Sequence, residues 1–253
     1  MTKLSVNLNK VALVRNSRDT VIPSVVDAAR TVIDAGAEGI TVHPRPDQRH
    51  IRPADVYDLA ELLADPQYRD IEFNIEGNPY AGPEDNGYPG FMALVEQTQP
   101  HQATLVPDDP TQLTSDHGWD LTGESNELQS IVDRLRAQNV RVSLFMDPIE
   151  DQIERAARLG TDRIEYYTGP YAEAYPAHDK ILAPFITTAT TATRLGIGIN
   201  AGHDLNLTNL ETFCREVPGV AEVSIGHAII TDALWLGWNE TIRRYREILD
   251  RLK

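Results

Sequence analysis

The chain has one cysteine, Cys214, among 253 residues, which excludes an internal disulfide and a cysteine-built zinc site. It is also short of lysine. Of its 23 basic residues only Lys3, Lys10, Lys180 and Lys253 are lysine, and 38 acidic residues bring the net charge to −15. That balance excludes nucleic acid as an expected partner, because a phosphate backbone demands net or clustered positive charge. No apolar run reaches the roughly 18 residues needed to span a bilayer, and the opening stretch MTKLSVNLNK lacks the apolar segment of a signal peptide. The expectation is a cytoplasmic protein that makes no membrane contact. No G-x-G-x-x-G or Walker-type loop follows the first strand-like run, which weighs against dinucleotide binding. The acidic, lysine-poor composition fits two origins: a high-salt cytoplasm, where carboxylates hold water and their repulsion is screened, or simple acidic drift.

What is present is a globular mixture, 41% hydrophobic and 24% charged, long enough to bury a sizeable core. Short β-branched runs alternate with longer segments of helical period. Leu4–Asn9, Gly39–His43, Ile71–Glu76, Gln102–Val106, Val140–Phe145, Arg163–Tyr167, Ile197–Asn200 and Ala221–Ile225 read as strands. Several are nearly continuous in apolar character, as strands covered on both sides should be. Between them run stripes of core-facing helical residues: Val25, Ala29, Val32 and Ile33 ahead of Gly36; Val56, Leu59, Ala60 and Leu63 behind Pro53; Leu128, Ile131, Val132 and Leu135 behind Ser125. Ile149, Ile153, Ala156 and Ala157 end at Gly160, Asn206 reads as a cap for Leu207, Leu210 and Phe213, and a last stripe joins Trp238, Ile242, Tyr245, Ile248 and Leu252. Strand–helix units repeated without a composition break imply one domain over residues 1–253, a single (β/α)8 TIM barrel of the α/β class. A doubly wound open sheet is the competing arrangement. Gly77–Gly90, dense in turn residues, reads as a loop inserted after strand three: a lid, a subunit contact or a tolerated surface insertion.

Polar residues cluster where these strands end. Strand one ends at Asn7, Asn9 and Lys10, strand two at His43 with Arg45 beyond it, and strand three at Glu76; strand seven ends at His203 and strand eight at Gly226 and His227. In a barrel these ends share one rim, so imidazoles, a carboxylate, an ammonium and guanidinium groups face a common pocket, an acid/base set. The turns Asn200–Asp204 and Ile225–His227 follow strands seven and eight, the usual place for a barrel phosphate site built from backbone N–H groups. Arg15, Arg18, Arg45, Arg49 and His50 add positive charge beyond strands one and two, which in so acidic a chain suits an anionic ligand. The histidines and glutamate come from separate strands with no H-E-x-x-H spacing, so no metal site is expected.

Six segments then carry a resemblance: V-N-L-N-K-V-A-L-V-R-N-S-R from residue 6, G-I-T-V-H-P-R-P-D-Q-R-H-I from residue 39, V-S-L-F-M-D, I-E-Y-Y-T-G-P-Y-A, I-N-A-G-H-D-L and V-S-I-G-H-A-I-I. In order and spread they resemble the pyridoxine 5′-phosphate synthase family over nearly the whole chain. The resemblance implies a barrel that forms a homo-octamer and needs neither a metal nor an organic cofactor. It also implies two phosphorylated ketone substrates, 1-deoxy-D-xylulose 5-phosphate and 3-amino-2-oxopropyl phosphate, condensed to close the pyridine ring of vitamin B6. Carried over, His43 and Glu76 are general bases and His203 a general acid. Asn7, Arg18 and the Gly226–His227 backbone hold the amino-ketone phosphate, while Arg45, His50 and Thr114 hold the sugar phosphate. Where the family shows Asp-His this chain has Asn9-Lys10. Asp204 replaces a glycine, Tyr167 replaces a histidine, and the Gly77–Gly90 loop has no counterpart. Asn9, Lys10 and Asp204 therefore count among the ligand-binding positions that set this chain apart.

Two other readings compete. Lys10 at a strand end fits a Schiff-base nucleophile acting on a phosphorylated ketose, as in aldolase-type chemistry. Alternatively the barrel binds phosphorylated metabolites without turning them over, although it then has no need of His43, Glu76 and His203 together.

Overall fold

The computed structural model describes residues 2–18, 20–177 and 179–252. Its strands are β1 Lys3–Asn7, β2 Gly39–Val42, β3 Glu72–Gly77, β4 Gln102–Leu105, β5 Arg141–Met146, β6 Arg163–Tyr166, β7 Gly198–Ala201 and β8 Val220–Ile225. They lie parallel, in chain order, in one closed barrel, and β1 pairs with β8 to shut the ring. The barrel reading stands and the open sheet does not. All eight expected strands are present, with ends moved by a residue or two. Asn9 belongs to the first helix rather than to β1, and His43 and Tyr167 stand just beyond their strands.

The helices are α1 Asn9–Asn16, α2 Val25–Asp34, α3 Pro53–Leu63, α4 Phe91–Thr98, α5 Asn126–Ala137, α6 Glu150–Arg158, α7 Gly169–Ala174, α8 Asp179–Arg194, α9 Leu210–Glu216, α10 His227–Leu236 and α11 Trp238–Asp250. The sequence stripes mark α2, α3, α5, α6, α9 and α11. They do not mark α8, whose threonines and internal Pro184 argue against a helix. Here the threonine hydroxyls turn back onto carbonyls four residues earlier, Thr187 to Ala183 at 3.1 Å, Thr190 to Ile186 at 3.0 Å and Thr193 to Ala189 at 2.9 Å. The α9 start also differs from expectation. Its N-cap residue is Asn209, while the Asn206 side chain closes a turn on the Thr208 N–H at 2.9 Å.

Two-sided burial has a different origin from a continuous apolar strand. The outward residues, such as Leu4, Val6, Ile40, Val42, Ile75 and Val223, are buried under the helices. The alternate residues point to the barrel axis and are polar. Ser5 and Thr41 share a hydrogen bond of 2.8 Å; Thr104 donates to Asn74 at 3.1 Å and reaches Glu165 at 3.5 Å; Asn200 reaches across the barrel to Gln102 at 3.4 Å. Below them, at the strands' starting ends, Glu72 holds both Lys3 and Arg141, while Arg163 meets Asn200 at 3.0 Å and Glu222 at 3.5 Å. Barrel interiors are ordinarily filled by branched aliphatics; this one is cross-linked by hydrogen bonds and ion pairs.

The 77–90 loop is not a lid. Asn86 bonds Gln48 at 2.9 Å and Pro46 at 2.8 Å, Phe91 N–H bonds Ala81 O at 2.9 Å, and Tyr88 is buried, so the loop is fastened to the β2–α3 connection. Gly90 (φ +97°) is backed by the Ala81 carbonyl and the backbone of Gly82, which leaves no comfortable place for a side chain.

Because Arg163 is the cation beside buried Glu222, whose pKa is raised to about 7, Arg163→Met should destabilise the fold above about pH 7, where Glu222 is ionised, and less below it, where Glu222 takes up a proton. Arg163→Met combined with Glu222→Leu should recover most of that loss in urea titrations, since no unpaired charge remains.

Candidate active site

At the C-terminal end of the barrel lies a cavity of about 340 Å³. Of the residues singled out from the sequence, Asn7, Asn9, Lys10, His43, Arg45, Arg49, His50, Glu76, Thr114, His203, Asp204, Gly226 and His227 line it, while Arg15, Arg18 and Tyr167 do not. Arg18 is exposed just past the end of α1, its backbone N–H bonded to Arg15 O at 3.4 Å.

The β1 rim is built by amide side chains. Asn7 Oδ1 accepts from Asn9 N–H at 3.0 Å, its Nδ2 donates to Glu76 at 3.2 Å, and Asn9 Oδ1 accepts from His43 N–H at 2.8 Å. Asn9 thus ties the β1 and β2 rims together, a task that needs an acceptor and no charge. Lys10, half-buried in the first turn of α1, also faces the cavity.

His43 is buried with Nδ1 3.9 Å from Glu76 and Nε2 3.7 Å from Asp108. Burial, reinforced by Arg45, His50 and Arg49, holds its pKa well below the ordinary imidazole value, so the ring is neutral and able to accept a proton. His50 is pushed down to about 3 by burial and by Arg45, Lys10 and Arg49. Its Nδ1 accepts from Ile51 N–H at 2.9 Å, which assigns the ring proton to Nε2. Behind it, Arg15 and Asn16 donate to the His50 carbonyl at 3.3 and 2.8 Å, and Arg15 is held by buried Asp55.

Glu76 behaves oppositely. Burial, with Asp108 and Glu222 nearby and Arg45 only partly opposing them, raises its pKa to about 8, so it carries a proton at neutral pH. Glu165, inward on β6, is raised too, by burial and by Glu76 and Glu222. The cavity thus sets a neutral imidazole 3.9 Å from a protonated carboxylic acid.

The basic residues are less free than their sequence suggests. Arg45 is paired with buried Asp108 and also donates to Gln112 O at 3.4 Å. Arg49 is held by Asp47 at 2.6 Å and by the carbonyls of Gln112 and Pro110 at 2.9 and 3.1 Å. Across the cavity, His203 Nε2 lies 2.9 Å from Thr114 Oγ1 and its Nδ1 2.9 Å from Asp204 Oδ2. Asp204 therefore turns its carboxylate to the histidine. At Gly202 a Cβ would fall 1.9 Å from Ser224 O, so only glycine lets β7 and β8 come this close. Gly226 abuts the Asn7 side chain and leads into α10, whose first N–H groups open at the cavity, a standard anion cradle.

Asp108, beside His43 and Arg45, and Glu165, which lines the cavity, are the buried acids of this region that the sequence reading missed. Asp108 is one acid among several in the polar stretch after β4, and only the fold brings it to His43 and Arg45. Ser115 donates to its Oδ2 at 2.8 Å, and its buried Oδ1 has no donor among the described residues. Glu165 had a usable signal: a charged residue between Ile164 and Tyr166, in a strand, must face the other way. Among the described residues no three His, Cys, Asp or Glu side chains converge as metal ligands, and no helix is long and apolar enough to cross a membrane.

Comparison with known proteins agrees on the family. The family model described as Pyridoxal phosphate biosynthesis protein PdxJ matches residues 4–251. A protein of Xylella fastidiosa named pyridoxine 5′-phosphate synthase is 53% identical over 251 residues, covering 98% of this chain and 95% of that one. A protein of the same name from Bacteroides thetaiotaomicron is 51% identical over 250 residues, covering 98% and 100%. Among solved structures, phosphoribosyl anthranilate isomerase from Thermotoga maritima superposes with a TM-score of 0.61 at 13% identity, covering 99% of this chain and 100% of that one. For 3-keto-L-gulonate-6-phosphate decarboxylase from Vibrio cholerae the TM-score is 0.62 at 12% identity, with 100% and 99% covered. At these identities the likeness speaks for the barrel fold alone.

The protonation pattern sets how stability varies with pH. Glu76 and Glu222 keep protons up to about 8 and about 7 in the folded protein but only to about 4.5 once unfolded. Between those values the native state binds more protons, so stability falls as pH rises. His43 and His50 are neutral when folded and gain protons on unfolding, so their contribution is lost as pH falls below about 6.5. The urea midpoint should therefore drop between about pH 6.5 and 8.5, and the drop should shrink in Glu222→Gln. A midpoint that rises over that range in the unmodified protein contradicts the assignment.

Proposed function

The chain belongs to the family described as Pyridoxal phosphate biosynthesis protein PdxJ, and from that premise we propose that it is a pyridoxine 5′-phosphate synthase. Its substrates are 1-deoxy-D-xylulose 5-phosphate and 3-amino-2-oxopropyl phosphate. The observation that carries this reading is the single cavity that gathers a neutral imidazole, a protonated glutamate and a second imidazole at its mouth, beside the N-terminus of α10.

The chemistry needs protons moved both ways. His43 takes a proton from the amine as it attacks the ketone carbon, and protonated Glu76 donates to the ketone oxygen. The resulting hydroxyl leaves as water on a proton from His203. Loss of a carbon-bound proton then expels the phosphate of the sugar substrate, both electrons of its carbon–oxygen bond going to oxygen, and inorganic phosphate leaves. Glu76, now a carboxylate, serves as the base for the carbon–carbon closure of the ring, and a second water departs to complete it. One phosphate rests on the N–H groups of Gly226 and His227. The other lies on the far side of β1, near Lys10, His50 Nε2–H and Arg45, with Thr114 above it. Phosphorylated ketones of this kind belong to the cytoplasm, and that residence is part of the proposal.

Self-association is part of it as well. Val21, Ile22, Leu234 and Trp235 are 82%, 71%, 77% and 84% exposed; Leu234 lines an apolar cleft between α2 and α10, and the other three stand within two residues of Pro23 or Leu234, which line it. An apolar surface of this kind supports a second copy as its cover.

Supplying both ketones should yield pyridoxine 5′-phosphate and free phosphate in equal amounts, and Glu76→Gln should lose roughly 100-fold or more in kcat. No product from the folded wild-type chain overturns the reading. Lys10→Met should mainly raise KM for a phosphorylated ketone; complete loss of kcat would instead favour a covalent role. Trp235→Asp should reduce the particle mass in light scattering, and an unchanged mass would remove this face from the assembly.

A further inference from the structure

Asp204 is one of four non-glycine residues with positive φ among the described residues, at +66°. That conformation suits glycine, so a residue with a Cβ is held there against its own preference. The holding is visible. Asn206 and Asn209 both donate to Asp204 O at 3.3 Å, Leu205 N–H bonds Gly202 O at 2.9 Å, and Thr168 donates to His203 O. The outcome is a carboxylate whose Oδ2 lies 2.9 Å from His203 Nδ1, while the opposite ring nitrogen faces Thr114 and the cavity.

We propose that Asp204 is a positioning residue for His203: it holds the ring with a proton on Nδ1 and stabilises the imidazolium that donates from Nε2. This rests on His203 acting as the general acid. In the step it serves, the Nε2 proton passes to the departing hydroxyl, the carbon–oxygen bond breaks with both electrons going to oxygen, and water leaves. His203 becomes neutral with its Nε2 lone pair exposed to the cavity, and the Nδ1 proton stays on the bond to Asp204.

The surroundings fit this division of labour. His203 is 24% and Asp204 49% exposed in their side chains, so the ring keeps one edge toward the cavity and the carboxylate stays charged. The bond to His203 holds the Asp204 pKa below the ordinary aspartate value, with His227 adding to the effect. Tyr167 packs edge-on against the ring at 5.3 Å and Phe145 at 6.5 Å, which leaves little freedom to rotate. The other ionisable groups nearby are Tyr167 itself, His227 on α10, Lys10 on α1, and Asp116 and Asp147 on the loops after β4 and β5. With its carboxylate engaged by a cation, Asp204 can border a phosphate-binding turn without repelling the ligand.

The test compares Asp204→Asn and Asp204→Gly with the wild type in the full-length protein. Asn keeps an acceptor and tolerates a left-handed backbone but lacks the charge; Gly removes the side chain and the strain. In ¹⁵N spectra His203 should keep its Nδ1–H tautomer in Asp204→Asn, whose amide oxygen still accepts, and lose that preference in Asp204→Gly. kcat should fall about tenfold in Asp204→Gly, and KM should change less than about twofold. Asp204→Gly should be at least as stable in urea, which separates the effect from misfolding. An unchanged His203 tautomer in Asp204→Gly overturns the proposal even when wild-type turnover is normal. Absent turnover in the wild type overturns the synthase reading instead, and the tautomer still decides the Asp204–His203 pair.

Discussion

The constraint from which this structure follows is the alternation of side chains along its strands. Each strand sends one set of residues outward beneath the helices and the other toward a closed axis, and here the axial set is polar. Ser5, Thr41, Asn74, Gln102, Thr104, Ser143, Asn200 and Ser224 are all buried there, and a buried polar group is costly unless it finds a partner. The ladder from Lys3, Glu72 and Arg141 through Gln102 to Asn200 and Arg163 answers much of that demand, while the buried hydroxyls of Ser143 and Ser224 have no partner among the described residues. It also fixes where the inward side chains of the last turn of each strand stand, and those are the residues of the cavity.

Desolvation then divides the work between like residues. Burial favours the neutral form of each, lowering the pKa of His43 and His50 and raising that of Glu76 and Glu165. The Arg45–Asp108 pair beside them adds to the division, Arg45 lowering the histidines further and Asp108 raising Glu76 further.

Much of this was legible beforehand. Strand positions follow from β-branched runs, and the strand-end placement of His43, Glu76 and His203 is enough to bring them to one rim in a barrel. What was illegible depended on contacts made far along the chain. Asp108 gains meaning only from Arg45, which precedes it by 63 residues, and α8 is helical because Leu182, Phe185, Ala189 and Ala192 bury one face against the barrel, a gain that propensity does not count. Asn9 and Asp204 read as lost and added charges in the sequence. In the fold Asn9 is a brace for the His43 backbone and Asp204 a partner for His203. Arg18, chosen for its charge, lies outside the cavity because the chain has already left the rim at the end of α1.

The cross-barrel contact between Gln102 and Asn200 joins residues 98 positions apart, and β1 meets β8 only when the whole chain is present. An aliphatic interior rewards each strand as it is added, since apolar burial accumulates piecemeal. A polar interior does not: a half-formed barrel exposes donors and acceptors that water already satisfies, so their pairing favours the fold only once the ring closes. The chain should accordingly fold with high cooperativity and slowly for its size, with closure as its decisive event. Half-barrel fragments, which are stable pieces of some barrels, have little reason to persist here.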